Sequence, residues 1–435
     1  MIFPKWFWMA SLVFVTGCLC FAGALHTVAP TAADGTLSAA AELGRKIFFD
    51  PALSASGRMS CATCHSPQYA YGPPNALPVQ YGGPRLKTPG FRAVPSLRYV
   101  LNYVPRWSHA QATSEIERLT EPEEVPSGGY TWDGRAASVH EQALIPLFNK
   151  SEMDNGSVAA LANKLSHASY AAQFRAVYGE HIFEHPLAAV TDATMALQAF
   201  QFEYKGFHPY SSKFDHWLDG KAKLTPQELR GKALFDDPNG GDCSSCHLDE
   251  MGPNGKHPLF TDFQYEAVGV PRNPHIPWNH NPHYYDLGVC GPFRKDAASK
   301  NPNNCGLFRT PSLRNVATRR VFFHNGQYHT LREALEFYVE RDTDPGKWYP
   351  RGPHGKIEKF NDLPARYRGN VDVVDAPFDN HLGGKPIWDA QQINDVIAFL
   401  KTLDDADVAH LADSNPISAR SHHSAEANAQ RAPRP

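Results

Sequence analysis

At 435 residues the chain is long enough for two domains, each with its own core. A formal charge of −3 supplies no basic excess, which excludes nucleic acid as a partner. With 32 Gly, 36 Pro and 11% aromatic residues, the composition points to short helices joined by long structured loops.

Residues 1–35 read as an export segment: Lys5 precedes an apolar run from Trp6 to Ala22, and small residues follow. Three outcomes stay open. They are a cleaved signal peptide, a lipoprotein modified at Cys18 of the lipobox-like Val15-Thr16-Gly17-Cys18, and an uncleaved inner-membrane anchor. Each places the remaining chain in the periplasm, where disulfides persist, and Cys290 with Cys305 is the disulfide candidate.

Beyond the leader the chain repeats itself. Leu43-Gly44-Arg45-Lys46-Ile47-Phe48-Phe49-Asp50-Pro51 leads into Cys61-Ala62-Thr63-Cys64-His65. Leu229-Arg230-Gly231-Lys232-Ala233-Leu234-Phe235-Asp236-Asp237-Pro238 leads into Cys243-Ser244-Ser245-Cys246-His247. Cys-x-x-Cys-His is the attachment signature of c-type haem. Two thiols one helical turn apart bond the porphyrin edge, and the histidine supplies the proximal iron ligand. One Cys-x-x-Cys alone also fits a zinc knuckle or a redox pair; two copies, each followed by His, point to two covalently bound haem c groups. Further on, Phe91-Arg92-Ala93-Val94-Pro95-Ser96-Leu97-Arg98 is echoed by Phe308-Arg309-Thr310-Pro311-Ser312-Leu313-Arg314. Asp133-Gly134 with Glu141 returns 192 residues later as Asn325-Gly326 with Glu333. Three matched blocks in one order indicate a duplicated haem domain.

The expected fold is all-α: two cytochrome c-like haem domains related by internal duplication, with long structured loops. The first occupies residues 36–205 and closes with a helix in which Met195, Ala199 and Phe202 share a face. Residues 206–224 connect it to the second domain, residues 225–410. That domain opens on Thr225 as N-cap, Pro226 and Glu228. Its last helix has Asp389 as cap and Ile393, Val396, Ile397, Leu400 and Leu403 as a buried stripe. Residues 411–435 read as a disordered tail whose His422 and His423 are solvated.

Over residues 36 to 405 the chain resembles the bacterial di-haem cytochrome c peroxidase superfamily, in its MauG-like branch. The resemblance rests on the Leu43–Asp50 block, both haem motifs, Trp132-Asp133-Gly134-Arg135, Pro311-Ser312-Leu313-Arg314-Asn315-Val316 and Phe323-His324-Asn325-Gly326. It implies a haem peroxidase with axial iron ligands His65 and His247. At the repeat offset Pro146 corresponds to Tyr338. Proline offers iron no donor, whereas tyrosinate is a hard anionic ligand, and MauG-type members carry Tyr at the Tyr338 position. Met251, four residues beyond His247, is not expected to ligate. The first haem then has an open site, since no histidine lies between His65 and His109. Gln142 and Glu152 match the family's peroxide-handling amide and carboxylate, and Trp132 matches its Trp between the haems. Many members bind calcium through an Asn where this chain has Ala93, so the resemblance does not carry that ligand over.

The function implied is reduction of H2O2 to water at the first haem, with electrons relayed through the Tyr-ligated second haem. The donor is a small cytochrome c or a cupredoxin. A second reading, in the same class, is oxidation of Trp or Tyr residues of a partner protein. A third is a pure electron-transfer di-haem cytochrome, which Pro146, Gln142 and Glu152 argue against.

Overall fold

In the computed structural model, which describes residues 36–100, 104–110 and 125–413, most of the longer helices begin where the sequence supplies caps. The export segment with Cys18, and the tail with His422 and His423, lie outside the described residues. Helix α1 (Ala39–Phe49) starts at Ser38, whose hydroxyl accepts the Ala41 N–H, and stops at Asp50-Pro51. Then come α2 (Val139–Phe148), α3 (Val158–Ser166), α4 (Ala171–Tyr178) and α5 (Pro186–Glu203). Helix α6 (Pro226–Asp236) has the reciprocal Thr225/Glu228 cap, and α7 (Leu331–Glu340) has the same device at Thr330/Glu333. Helix α8 (Ala390–Lys401) is capped by Asp389 and Gln392. Among the described residues, strands are three residues long at most and form three antiparallel pairs. In one of them Tyr265–Glu266 faces Phe308–Arg309. The protein is mostly helical, with long irregular segments between helices.

Two large apolar cores stand out among the described residues, beside two smaller clusters. One gathers residues from Leu43 to Phe207, the other from Phe214 to Leu403. In the first, α1 crosses α5 so closely that a Cβ on Gly44 would lie 1.9 Å from the Ala196 carbonyl oxygen. In the second, α6 crosses α8 likewise, and a Cβ on Gly231 would lie 1.9 Å from the Asp395 carbonyl oxygen. Only glycine permits either approach. The first crossing selects a different stripe of α5 from the Met195, Ala199 and Phe202 face, which is a flank of the same helix. Ala189, Ala193, Ala196, Leu197 and Phe200 are buried against α1, while Met195, Ala199 and Phe202 lie half-buried on the flank. In α8, Ile393, Val396 and Leu400 are buried with Phe399, and Ile397 is half-buried.

The two halves of the chain are tied by buried ion pairs. Arg98 donates to Asp405 (2.9 Å) and to Asp407, and the Tyr99 hydroxyl donates to Asp405 (2.6 Å). Cys290 and Cys305 form a disulfide, with Cα atoms 4.9 Å apart.

Candidate haem sites

Each motif makes a single helical turn, Cys61–Cys64 and Cys243–Cys246, and no disulfide joins these four thiols. His65 and His247 close the turns by donating their N–H to the carbonyls of Cys61 (2.9 Å) and Cys243 (2.8 Å). Each imidazole is then oriented the same way. His65 Nδ1 lies 3.1 Å from the Tyr71 carbonyl, and His247 Nδ1 lies 3.0 Å from the Phe260 carbonyl. A carbonyl only accepts, so Nδ1 carries the proton and Nε2 keeps its lone pair for a metal. Burial lowers both histidine pKa values to about 4, which keeps the rings neutral. Burial likewise pushes the Cys61, Cys64 and Cys243 thiols up to about 12.

A cavity of about 540 Å³ opens beside the second motif. Cys243, Cys246, His247 and Tyr338 line it, and it extends to Trp132 and to the first-half segments around Gly72 and Ser96. A cavity of this size, holding both thiols, the oriented imidazole and a phenol, fits a haem. Tyr338 projects from α7 with its ring 5.3 Å from Phe378 and 5.6 Å from Phe323. Among the described residues nothing hydrogen-bonds its hydroxyl. Burial first, then the neighbouring Cys243 and Cys246 sulfurs, raise its pKa, while Arg341 lowers it. Met251, by contrast, is an exposed surface residue.

At the first motif, Glu152 is held by Asn149, whose Nδ2 donates to Oε1 at 2.6 Å. Burial raises its pKa; the Asn149 hydrogen bond and the Arg135 charge act against this. Its carboxylate is close enough to act on both Cys61 and Cys64, so it is not a solvated surface group. Gln142 and Pro146 share a face of α2, four residues apart. Pro146 has no N–H, which removes the helical hydrogen bond that the Gln142 carbonyl would accept. The side chains of Gln142 and Glu152 do not hydrogen-bond each other. The backbone of His109 pairs with Pro126; its side chain lies outside the described residues.

Trp132 sits where the halves meet. Its indole N–H donates to the Ala93 carbonyl (2.9 Å), and its own carbonyl accepts the Arg309 N–H (2.9 Å). Ala93 in turn donates its N–H to the His324 carbonyl. The neighbouring Asp133, fully buried, binds Arg92, Arg135 and the Thr131 hydroxyl, and Arg92 also grips Asp286 through two hydrogen bonds. Sequence reading found Asp133 but missed Asp286, Tyr71 and Phe260. Asp286 is 194 residues from its partner and in no motif, and the other two contribute only backbone carbonyls.

The family described as di-haem cytochrome c peroxidase matches residues 38–223. The methylamine utilization protein MauG of Paracoccus denitrificans is 32% identical over 374 residues, covering 84% of this chain and 89% of that protein. Cytochrome c551 peroxidase of Nitrosomonas europaea is 31% identical over 300 residues, 68% of this chain and 71% of that one. Among solved structures, the diheme peroxidase BthA of Burkholderia thailandensis superimposes with a TM-score of 0.76 at 39% identity, covering 88% of this chain and 90% of that one. With two oriented histidines, two thiol pairs and this likeness along most of its length, the chain belongs to the MauG-like di-haem cytochrome c peroxidases, oxidoreductases whose family carries two haems.

Proposed function

We propose that this protein reduces H2O2 to water in the periplasm, with haem domains at residues 36–205 and 225–410. The observation that carries this reading is Glu152: a buried carboxylate with a raised pKa, held by Asn149 beside the Cys61/Cys64 turn. Haem bound at the two motifs supplies the redox-active iron that exchanges electrons with peroxide and donor. Cys61 and Cys64 with His65 hold one haem, and Cys243 and Cys246 with His247 and Tyr338 hold the other. Glu152 takes and returns a proton at Oε2, the oxygen that Asn149 leaves open. Gln142 orients the substrate through its amide, and Pro146 keeps that side of the first site free of a competing ligand. The Trp132 indole, fixed by Ala93, lies on the electron route between the sites. A small cytochrome c or a cupredoxin is the donor.

Glu152→Gln tests the reading. Turnover of peroxide should fall about 10²–10⁴-fold, the usual contribution of a positioned proton carrier, with both haems retained. Turnover within twofold of wild type would refute it. A second reading, oxidation of Trp or Tyr side chains on a partner protein, is favoured by Tyr338 facing the His247 cavity in a chain 32% identical to a MauG. Rapid peroxide consumption with a small cytochrome as sole donor separates the first reading from the second.

A further inference from the structure

Buried arginines in this protein almost always meet a carboxylate. Arg92 has Asp133 and Asp286, Arg98 has Asp405, Arg294 has Asp296, Arg314 has Asp215 and Arg341 has Asp342. Arg309 and Arg319 break the pattern. Both are half-buried, and both line the cavity of the second motif. Arg309 Nη1 donates to the Gly129 carbonyl (2.6 Å), and among the described residues the groups acting electrostatically on it are the phenols of Tyr265 and Tyr130. Arg319 donates to the Val321 and Val94 carbonyls, and among the described residues no acidic group acts on it; burial lowers its pKa to about 10. Arg319 is also close enough to influence His65, so it stands between the two sites. Arg320, a third arginine of the cavity wall, is instead stacked over Tyr69.

A desolvated guanidinium without an anion is costly, and it is retained where an anion completes it. The planar fork of arginine matches a carboxylate with two parallel hydrogen bonds. Haem carries two propionate carboxylates. We propose that Arg309 and Arg319 bind haem propionates at the face where the two haem sites meet, neutralising them inside the protein. This rests on the assignment of the two motifs as haem sites.

The test uses Arg309→Gln and Arg319→Gln in the full holoprotein. Pyridine haemochrome counts the haems, spectroelectrochemistry gives the midpoint potential of each, and resonance Raman reads the propionate bending bands. A cation near the iron disfavours the more positive ferric state, so its removal should lower the potential of the nearer haem. The expected change is about a tenfold shift of the Fe(III)/Fe(II) equilibrium, equivalent to about 59 mV. The propionate bands should shift with it. Two haems with unchanged potentials and unchanged bands in both variants would overturn the proposal while leaving the haem assignment standing; fewer than two haems in the wild type would overturn the assignment itself. Should either Gln variant fail to accumulate, Arg309→Lys and Arg319→Lys keep the charge but not the fork. They should move the propionate bands, and unmoved bands in those variants overturn the proposal equally.

Discussion

Asp133→Asn tests whether the arginine clamp around Trp132 is an electrostatic device. Although burial raises the Asp133 pKa, Arg92, Arg135 and the Thr131 hydroxyl outweigh it and bring the carboxyl down to about 2 from the ordinary 3.8. At about 1.4 kcal/mol per pKa unit, that depression corresponds to about 2–3 kcal/mol of folding stability at neutral pH. Removing one member of a buried ion pair costs about 3–5 kcal/mol when the partner is left bare. Here Arg92 keeps Asp286 at 2.6 Å, and Arg135, which loses its carboxylate, is partly exposed to water, so the lower figure applies. Because the folded-state pKa is depressed, the contribution is complete above the unfolded value, near pH 4, and is lost as pH falls towards 2. Urea unfolding followed by far-UV circular dichroism, at steps from pH 7 to pH 3, should show the gap between wild type and variant shrinking below pH 4. No gap at neutral pH, or a gap that widens as pH falls, would refute the electrostatic account.

Cys243→Ala combined with Cys246→Ala should leave one covalent haem per chain by haemochrome assay, since each haem needs its own thiol pair; two haems in that variant would sink the assignment. Gly44→Ala and Gly231→Ala each force a methyl to within 1.9 Å of a backbone carbonyl and should cost at least about 1–3 kcal/mol in urea melts, and neutral variants would contradict the close helix crossings. Tyr338→Phe should change the visible and EPR spectra of the second haem while haem content stays at two, and unaltered spectra would make Tyr338 a packing aromatic between Phe323 and Phe378.

What the sequence made legible was whatever depends on neighbours along the chain. Thr225 with Glu228, and Asp389 with Gln392, announce helix starts because a capping box is complete within four residues. The two haem motifs announce themselves for the same reason. The buried face of α5 did not, since its pattern of Ala, Val, Leu and Phe allows several stripes. What selects among them is the approach of Gly44, more than 150 residues earlier. Asp286 and Asp405, which pair with Arg92 and Arg98, were invisible for a related reason. An aspartate in a loop looks alike whether solvated or buried against a guanidinium, and only the tertiary fold distinguishes them. Arg309 lies within the Phe308–Arg314 block and Arg319 three residues beyond Val316, yet what marks them out is the lack of a carboxylate among the described residues, which no local pattern displays.

The contact between Arg98 and Asp405 spans 307 residues of chain. Closing a loop of that length from a disordered chain costs about 5 kcal/mol in entropy, more than one ion pair returns. Arg92 with Asp286, and the Trp132 carbonyl with Arg309, close loops of similar length between the same halves, so the three contacts share one closure cost. Without Asp405 and Asp407, Arg98 and Tyr99 are half of a buried site with no counter-charge. Asp405 and Asp407, close to the end of the described residues, hold the first half in place, and a protein cut short before them would leave a guanidinium stranded at the seam.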